Sequence, residues 1–318
     1  MKLLITGIAG YIGSNLAVLA KERGFTVTGI DSFTPYYSPK LKRHTAKELQ
    51  DLGVEIQDAD LTETDLSGII RGVNAVVHLA AQPGISSKVK WKDYYRNNIV
   101  ATHRLLEESK KSRNLETFVN ISTSSCYGYF ATKPEEMAAQ PASWYGVTKL
   151  AAEQEVLALN RSSGFPACSL RLFSVYGERE RPDKLFPKLL RSIYKNEEFP
   201  LFEGSLEHQR SFTYVKDICE GIILSIEKYR LTDGEIFNLG TDQSFTTAQA
   251  IETVENLLGK KISIKKLPKR NGDQNTTIAN ISKIKHKLGW KPRTSLEDGL
   301  SQTISWYRRL ERENLDWI

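Results

Sequence analysis

The stretch "LLITGIAGYIGSNL", residues 3–16, decides how the rest of the chain is read. A short apolar run leads into glycines at 7, 10 and 13, and a helical pattern of apolar and polar residues begins beside the last of them. Glycines at this spacing let backbone N–H groups approach a pyrophosphate, and the helix N-terminus behind them adds partial positive charge. A glycine triplet alone is weak evidence, but it gains weight after a strand at the N-terminal end, with Asp31 closing the next strand. A carboxylate there accepts hydrogen bonds from a ribose 2′-hydroxyl and repels a 2′-phosphate. The pattern therefore predicts a dinucleotide site that prefers NAD to NADP, built from Gly7, Gly10, Tyr11, Ile12, Gly13 and Asp31. Lys40, Lys42 and Arg43 follow closely and are the residues that would soften the preference.

Outward from this stretch, strand-length apolar runs recur: "TVTGI" (26–30), "VEI" (54–56), "AVVHLA" (75–80), "TFVNIS" (117–122), "ACSLRLF" (167–173) and "EIFNLG" (235–240). Helical patterns such as "NNIVATHRLLEESKKS" lie between them. Alternating strands and helices, with strands apolar throughout, predict a parallel sheet covered on both faces. Segments 178–210 and 248–318 are more mixed and read as short helices and turns.

Composition excludes several classes. The chain has 318 residues, 40% hydrophobic and 26% charged, as an ordinary soluble protein does. Its net charge of +6 is dispersed. The densest basic stretch, "KKISIKKLPKR" (260–270), alternates with apolar residues and reads as a strand with a solvated face. Without an arginine-rich run or an RNA-binding signature, no nucleic-acid partner is expected. Three cysteines, far apart and odd in number, point to free thiols in the cytoplasm rather than a disulfide framework. The five histidines show no metal-ligand spacing, so no metal is expected. No apolar stretch approaches membrane-spanning length, and the glycine-rich start does not read as a signal peptide.

Tyr-x-x-x-Lys occurs three times, at Tyr36/Lys40, Tyr129/Lys133 and Tyr145/Lys149. Pro39 interrupts the first pair and Pro134 follows the second, so neither is expected to share a helix face. "ASWYGVTKLAAEQEV" (142–156) runs on into a helix with Val147, Leu150, Ala151 and Val156 on its apolar side and Glu153, Gln154 and Glu155 as polar positions. Tyr145 and Lys149 then project from one face, one turn apart. An ammonium near a phenol favours phenolate, so Lys149 is expected to draw the Tyr145 pKa down from about 10 toward neutrality.

Together these segments resemble the extended short-chain dehydrogenase/reductases, specifically the NAD-dependent nucleotide-sugar epimerases and dehydratases. The likeness runs through "TGIAGYIG", "HLAAQPG" (78–84), "NNIVATHRLLE" (97–107), "ISTSSCYG" (121–128), "YGVTK" (145–149), "LRLFSVYG" (170–177), "RSFTYVKD" (210–217), "RNGD" (270–273) and "LGWKPRTSLEDGL" (288–300). It implies an α/β fold: a doubly wound parallel Rossmann sheet with a smaller, mixed α/β C-terminal substrate lobe. The NAD-binding domain would comprise 1–177, completed by 211–247, and the lobe 178–210 and 248–318. By resemblance, Asp60 and Leu61 flank the adenine, Ala80 and Ala81 line the cofactor cleft, and Asn98 supports the active-site helices. Lys149 also binds the nicotinamide ribose. Thr123 occupies the catalytic Ser/Thr position beside Tyr145, and Arg210, Arg270 and Asp273 match positions that hold the substrate's nucleotide diphosphate. Helices around 95–112 and 145–164 would pair in a homodimer.

Members of this family share one opening step: tyrosinate takes the sugar 4-hydroxyl proton while C4 hydride passes to NAD. Dehydratases then need an Asp-Glu pair after the threonine, where this chain has Ser124 and Ser125, poor acid–base groups without assistance. UDP-glucuronate decarboxylases usually carry glutamate where Ser125 stands. What remains is rotation of the 4-keto sugar and return of hydride to its other face, a 4-epimerisation. "RPD" at 181–183 and "DSFTPYYSPKLKR" at 31–43 resemble UDP-glucuronate 4-epimerases in particular. Arg181, with Ser174 and Arg179, is expected to grip a C5 carboxylate and keep a β-keto acid from losing CO₂. Glu178, Lys184 and Trp144 depart from that subgroup, and Trp144 is a candidate to reshape the sugar pocket. Rival readings are a UDP-glucose/galactose 4-epimerase, a decarboxylase, and an idle dinucleotide-binding member.

Overall fold

The computed structural model describes residues 1–84, 89–269 and 275–312. The strands expected from the apolar runs pair into one seven-stranded parallel sheet: β1 Lys2–Thr6, β2 Thr26–Asp31, β3 Glu55–Asp58, β4 Ala75–His78, β5 Thr117–Thr123, β6 Ala167–Leu172 and β7 Ile236–Leu239. Their spatial order is β7-β6-β5-β4-β1-β2-β3. The chain winds outward from β1 to β3, then crosses back to β4 on the other side of β1. That reversal opens a crevice at the carboxyl ends of β1 and β4, where ligands of such sheets bind.

Burial explains the sequence pattern. β4, β5 and β6 are buried at every position because helices cover both faces, whereas edge strand β3 is largely exposed. The Tyr11–Glu22 helix buries Leu16, Ala17 and Ala20. The Trp144–Ser163 helix starts at Ser143, whose Oγ accepts from Gly146 N at 3.1 Å, and ends at left-handed Gly164. The 91–109 helical run contains a π-helical turn, Tyr95–Val100, that carries Asn98.

Smaller sheets lie beyond the carboxyl edge. Phe245–Thr246, Gln209–Arg210, Thr276–Thr277 and Phe130–Ala131 form one, and Phe199–Phe202 pairs with Ile264–Leu267 in another. Within the basic stretch, Ile264–Leu267 does form a strand there, with Ile264, Lys265 and Lys266 exposed. One expectation fails in this region. Leu296–Arg312 is not a short helix but one of 17 residues. Leu296, Leu300, Ile304, Tyr307 and Leu310 bury one stripe of it, and Ser295 caps its start by accepting from Asp298 N at 3.1 Å. Cys126, Cys168 and Cys219 are buried free thiols. Among the described residues, no helix is long and apolar enough to cross a membrane, and no group of three or more His, Cys, Asp or Glu is placed to hold a metal ion.

Candidate active site

One cavity of ≈ 660 Å³ runs from the glycine turn, over the carboxyl ends of the strands, to the small sheets. The expected cofactor residues line it, as do Thr123, Ser124, Ser125, Tyr145, Lys149, Ser174, Arg181 and Arg210, all within the described residues. Arg270 and Asp273 lie outside them.

The dinucleotide end follows from local backbone geometry. Gly7 has φ +70°, and a Cβ there would meet Ala80 N at 2.9 Å. A Cβ on Gly13 would lie 2.3 Å from Gly7 O, so the helix can approach the turn only if residue 13 is glycine. The first helical turn has no side-chain cap, which leaves its amides to the cavity. Asp31 sits at the end of β2, its Oδ2 accepting from Ala9 N at 3.1 Å and its Oδ1 from Phe33 N at 2.8 Å. Burial pushes this carboxyl up, against Lys42 and the two backbone donors. Farther along, Asp60 accepts from Thr62 N at 2.8 Å and from Arg96 Nη1 at 3.0 Å. Burial raises that carboxyl, but these bonds outweigh it and leave the pKa below the usual range. A glycine cradle that a Cβ would fill, open helix amides and a buried carboxylate together fit a dinucleotide.

Of the three basic residues that could have tolerated a 2′-phosphate, two are engaged. Lys42 donates to Thr34 O at 3.0 Å, and Arg43 pairs with Asp58 at 2.9 Å. Sequence reading missed His78, which joins Thr6 Oγ1 at 2.8 Å to Thr102 Oγ1 at 2.9 Å beneath the cavity. Asn98 Oδ1 accepts from Gln82 N at 2.7 Å, and its Nδ2 donates to Thr148 Oγ1 at 3.0 Å. It thereby ties the loop after β4 to the Trp144–Ser163 helix.

At the reacting end, Thr123 is the last residue of β5, and its Oγ1 accepts from Ser125 N at 3.2 Å as the chain turns. The same side chain hydrogen-bonds with Tyr145. Gly146 lets the helix sit against that turn, since a Cβ there would lie 2.6 Å from Ser125 O. The expectation that Lys149 draws the Tyr145 pKa toward neutrality is not met. Burial dominates and pushes the phenol up to about 12, while the hydrogen bond to Thr123 and the nearby Arg181 charge pull it down. Lys149 is itself brought down to about 8 by burial, with Cys126 and Glu153 opposing. Glu153, expected among the polar positions, is fully buried instead, because Arg171 Nε meets it at 2.9 Å.

Arg181 is buried and turned toward the site: its guanidinium lies 5.1 Å from the centre of the Tyr36 ring. Asp183 holds it bidentately, Nε to Oδ1 at 3.0 Å and Nη2 to Oδ2 at 3.1 Å. Ser174 and Lys184 line the same wall, as does Glu180, whose carboxyl burial pushes up. Two expectations are corrected. Arg179 turns away to Glu48, at 3.0 Å, and does not line the cavity. Trp144 does not line it either; it is 62% exposed and packs edge-on against Trp91 at 5.1 Å. Glu178 is structural, accepting from Tyr214 Oη at 2.6 Å.

Comparison with known proteins bears on this geometry. The family model described as GDP-mannose 4,6 dehydratase matches residues 4–303. The uncharacterized UDP-glucose epimerase YtcB of Bacillus subtilis (strain 168) is 36% identical over 98% of this chain and 99% of its own. UDP-glucuronate 4-epimerase 3 of Arabidopsis thaliana is 34% identical over 96% of this chain and 76% of its own. Among solved structures, UDP-glucuronic acid 4-epimerase from Bacillus cereus, in complex with UDP-glucuronic acid and NAD, superposes with a TM-score of 0.92. It shares 33% identity and covers 98% of this chain and 100% of that one.

Proposed function

Since the chain belongs to the GDP-mannose 4,6 dehydratase family, we propose that it is an NAD-dependent nucleotide-sugar 4-epimerase acting on UDP-glucuronate to give UDP-galacturonate. The observation that carries this reading is the placement of Thr123, Tyr145, Lys149 and Arg181 around one cavity whose far end is the glycine turn. Relatives named UDP-glucuronate 4-epimerase, and one solved with both UDP-glucuronic acid and NAD, support it.

The glycine turn, Asp31, Asp60 and Lys149 would hold the dinucleotide. Bound NAD supplies the acceptor for hydride at C4 and returns it. Tyr145 takes the 4-hydroxyl proton, directly or through Thr123, whose hydroxyl bridges sugar and phenol. The chain favours the phenolate through Thr123 and Arg181, against the burial that opposes it. C6 of a uronate carries no hydroxyl to eliminate, and Ser124 and Ser125 offer no carboxyl acid–base pair for dehydrating a neutral sugar, so the 4-keto sugar has rotation open to it rather than dehydration. Arg181 keeps N–H groups outside its bidentate pair with Asp183, and with Ser174 these would grip the C5 carboxylate. The grip holds the C5–carboxylate bond out of line with the carbonyl π system, which protects the intermediate from losing CO₂.

Residues 178–210 and 248–318 form the substrate lobe in this reading, with Arg210 on the diphosphate, and 1–177 with 211–247 hold the cofactor. Trp91, Tyr95 and Trp144 are exposed where the 91–109 run and the Trp144–Ser163 helix begin, which supports a homodimer joined along those helices. Free, buried cysteines support a cytoplasmic setting. A second reading, a UDP-glucose/galactose 4-epimerase, is favoured by the bidentate hold of Asp183 on Arg181 and by the relative named a UDP-glucose epimerase. Incubation with a panel of UDP-sugars, following product sugar and CO₂, tests both. UDP-galacturonate from UDP-glucuronate is expected; UDP-pentose and CO₂ as the main products would overturn the assignment.

A further inference from the structure

Glu153 lies on the buried face of the Trp144–Ser163 helix, one turn beyond Lys149 and two beyond Tyr145. A carboxylate with no exposed surface needs its charge matched and its lone pairs filled. Arg171 Nε and Nη2 donate to it at 2.9 and 2.5 Å, and Ser169 Oγ at 3.3 Å. Both partners stand on β6, so the helix is pinned in rotation against the sheet. The same guanidinium also reaches the other way. Its Nη1 donates to Tyr127 Oη at 2.8 Å, and Tyr127 closes the turn that begins at Thr123 and donates to Asn238 Oδ1 on β7 at 2.8 Å. One buried arginine thus joins the helix bearing Tyr145 and Lys149 to the turn bearing Ser124 and Ser125.

We propose that Glu153 and Arg171 are positioning residues for the epimerase: the pair fixes the catalytic helix against the turn after Thr123 and keeps a negative charge one helical turn behind Lys149. This rests on the catalytic reading above. Among the described residues, the titratable groups acting on Lys149 are Glu153 from its own helix, Cys126 from the turn and His78 from β4; Tyr145 stands one turn back on that helix, where Arg181 reaches it from across the cavity. Burial pushes the Cys126 thiol up to about 11 and holds His78, beside Lys149, down to about 3, so both are neutral at pH 7. Glu153, paired with its guanidinium, is the anion that remains to oppose the desolvation of Lys149.

The test is a pH titration of the Lys149 Cε resonance in ¹³C-lysine-labelled holoenzyme, assigned with Lys149→Arg, beside kcat and KM profiles. In Glu153→Gln the titration and the alkaline limb of kcat should both move down by about one pH unit. There kcat should fall about tenfold with KM within twofold, as for a displaced catalytic group. Glu153→Gln/Arg171→Met removes both buried charges, leaves neither unmatched, and should show a smaller shift in the same direction, with kcat still low. Glu153→Asp keeps the charge, so the titration should return to within a few tenths of a unit of wild type while kcat stays several-fold low. Wild-type titration and kcat in the double variant overturn the proposal, as does unchanged kcat in Glu153→Asp if the others fail to fold. Absence of turnover by the unmodified protein on every nucleotide sugar would sink the proposed activity, whereas the titration would still judge the pair.

Discussion

Replacing Arg181 by methionine separates the two tasks assigned to that residue. The side chain is buried and held by Asp183 at 3.0 and 3.1 Å, but Asp183 is half exposed and rehydrates when its partner is lost, so the fold should lose little. On a C5 carboxylate the missing charge-assisted bonds are worth about 1.5–3 kcal/mol, which is roughly a 10- to 100-fold rise in KM for UDP-glucuronate. UDP-glucose has no such carboxylate, and its KM should stay within about twofold. Loss of the Arg181 charge also removes one of the two groups that pull the Tyr145 pKa down, so the acidic limb of kcat should move to higher pH with either sugar. Freed of its grip, the 4-keto uronate should partition toward CO₂ and UDP-pentose. Steady-state kinetics on both sugars, with CO₂ trapped, give all four quantities. Equal changes in KM for the two sugars, or no change for either, would refute the role given to Arg181.

Tyr145→Phe should cut kcat by about 10²–10⁴-fold, the usual worth of a proton-transfer group, while NAD binding followed by calorimetry is retained; an unaffected rate would overturn the mechanism. Gly13→Ala places a Cβ against backbone on two sides, 2.3 Å from Gly7 O and 3.0 Å from Ile8 Cα. It should cost about 1–3 kcal/mol in denaturant unfolding and weaken NAD binding. Lys149 needs its proton, and burial brings it to about 8, so kcat/KM of the free enzyme should decline as pH rises through about 8. Its unfolded value is about 10.4, so the unfolded chain holds more protons between those limits, and this group should make stability rise with pH across that window.

The elements that local pattern determines were legible. β1, the glycine turn and the Tyr11–Glu22 helix follow from residues adjacent in sequence, and so do the sheet strands other than edge strand β3, which has Ile56 as its one apolar residue. The Leu296–Arg312 helix was also there to be read: apolar residues at 296, 300, 304, 307 and 310 follow a serine cap. What could not be read locally were pairings between distant segments. Arg179 and Arg181 stand two apart in one loop, yet left-handed Arg179 turns to Glu48, 131 positions away in sequence, while Arg181 enters the cavity. Glu153 looked like a solvated helix position because its partner Arg171 lies on another element; the missed signal was an arginine in the middle of a strand apolar on both faces. Tyr145 lines the cavity, but its pKa depends on how much water that cavity admits, which no spacing rule reports.

The account turns on whether one hydrogen leaves C4 and comes back to it. UDP-glucuronate carrying deuterium at C4, incubated with the NAD-loaded protein in ordinary water, measures this by mass spectrometry and NMR of the product. UDP-galacturonate should form with the deuterium still at C4 and no solvent hydrogen in its place. Inverted product that has exchanged its C4 label for solvent hydrogen would contradict the mechanism at its root.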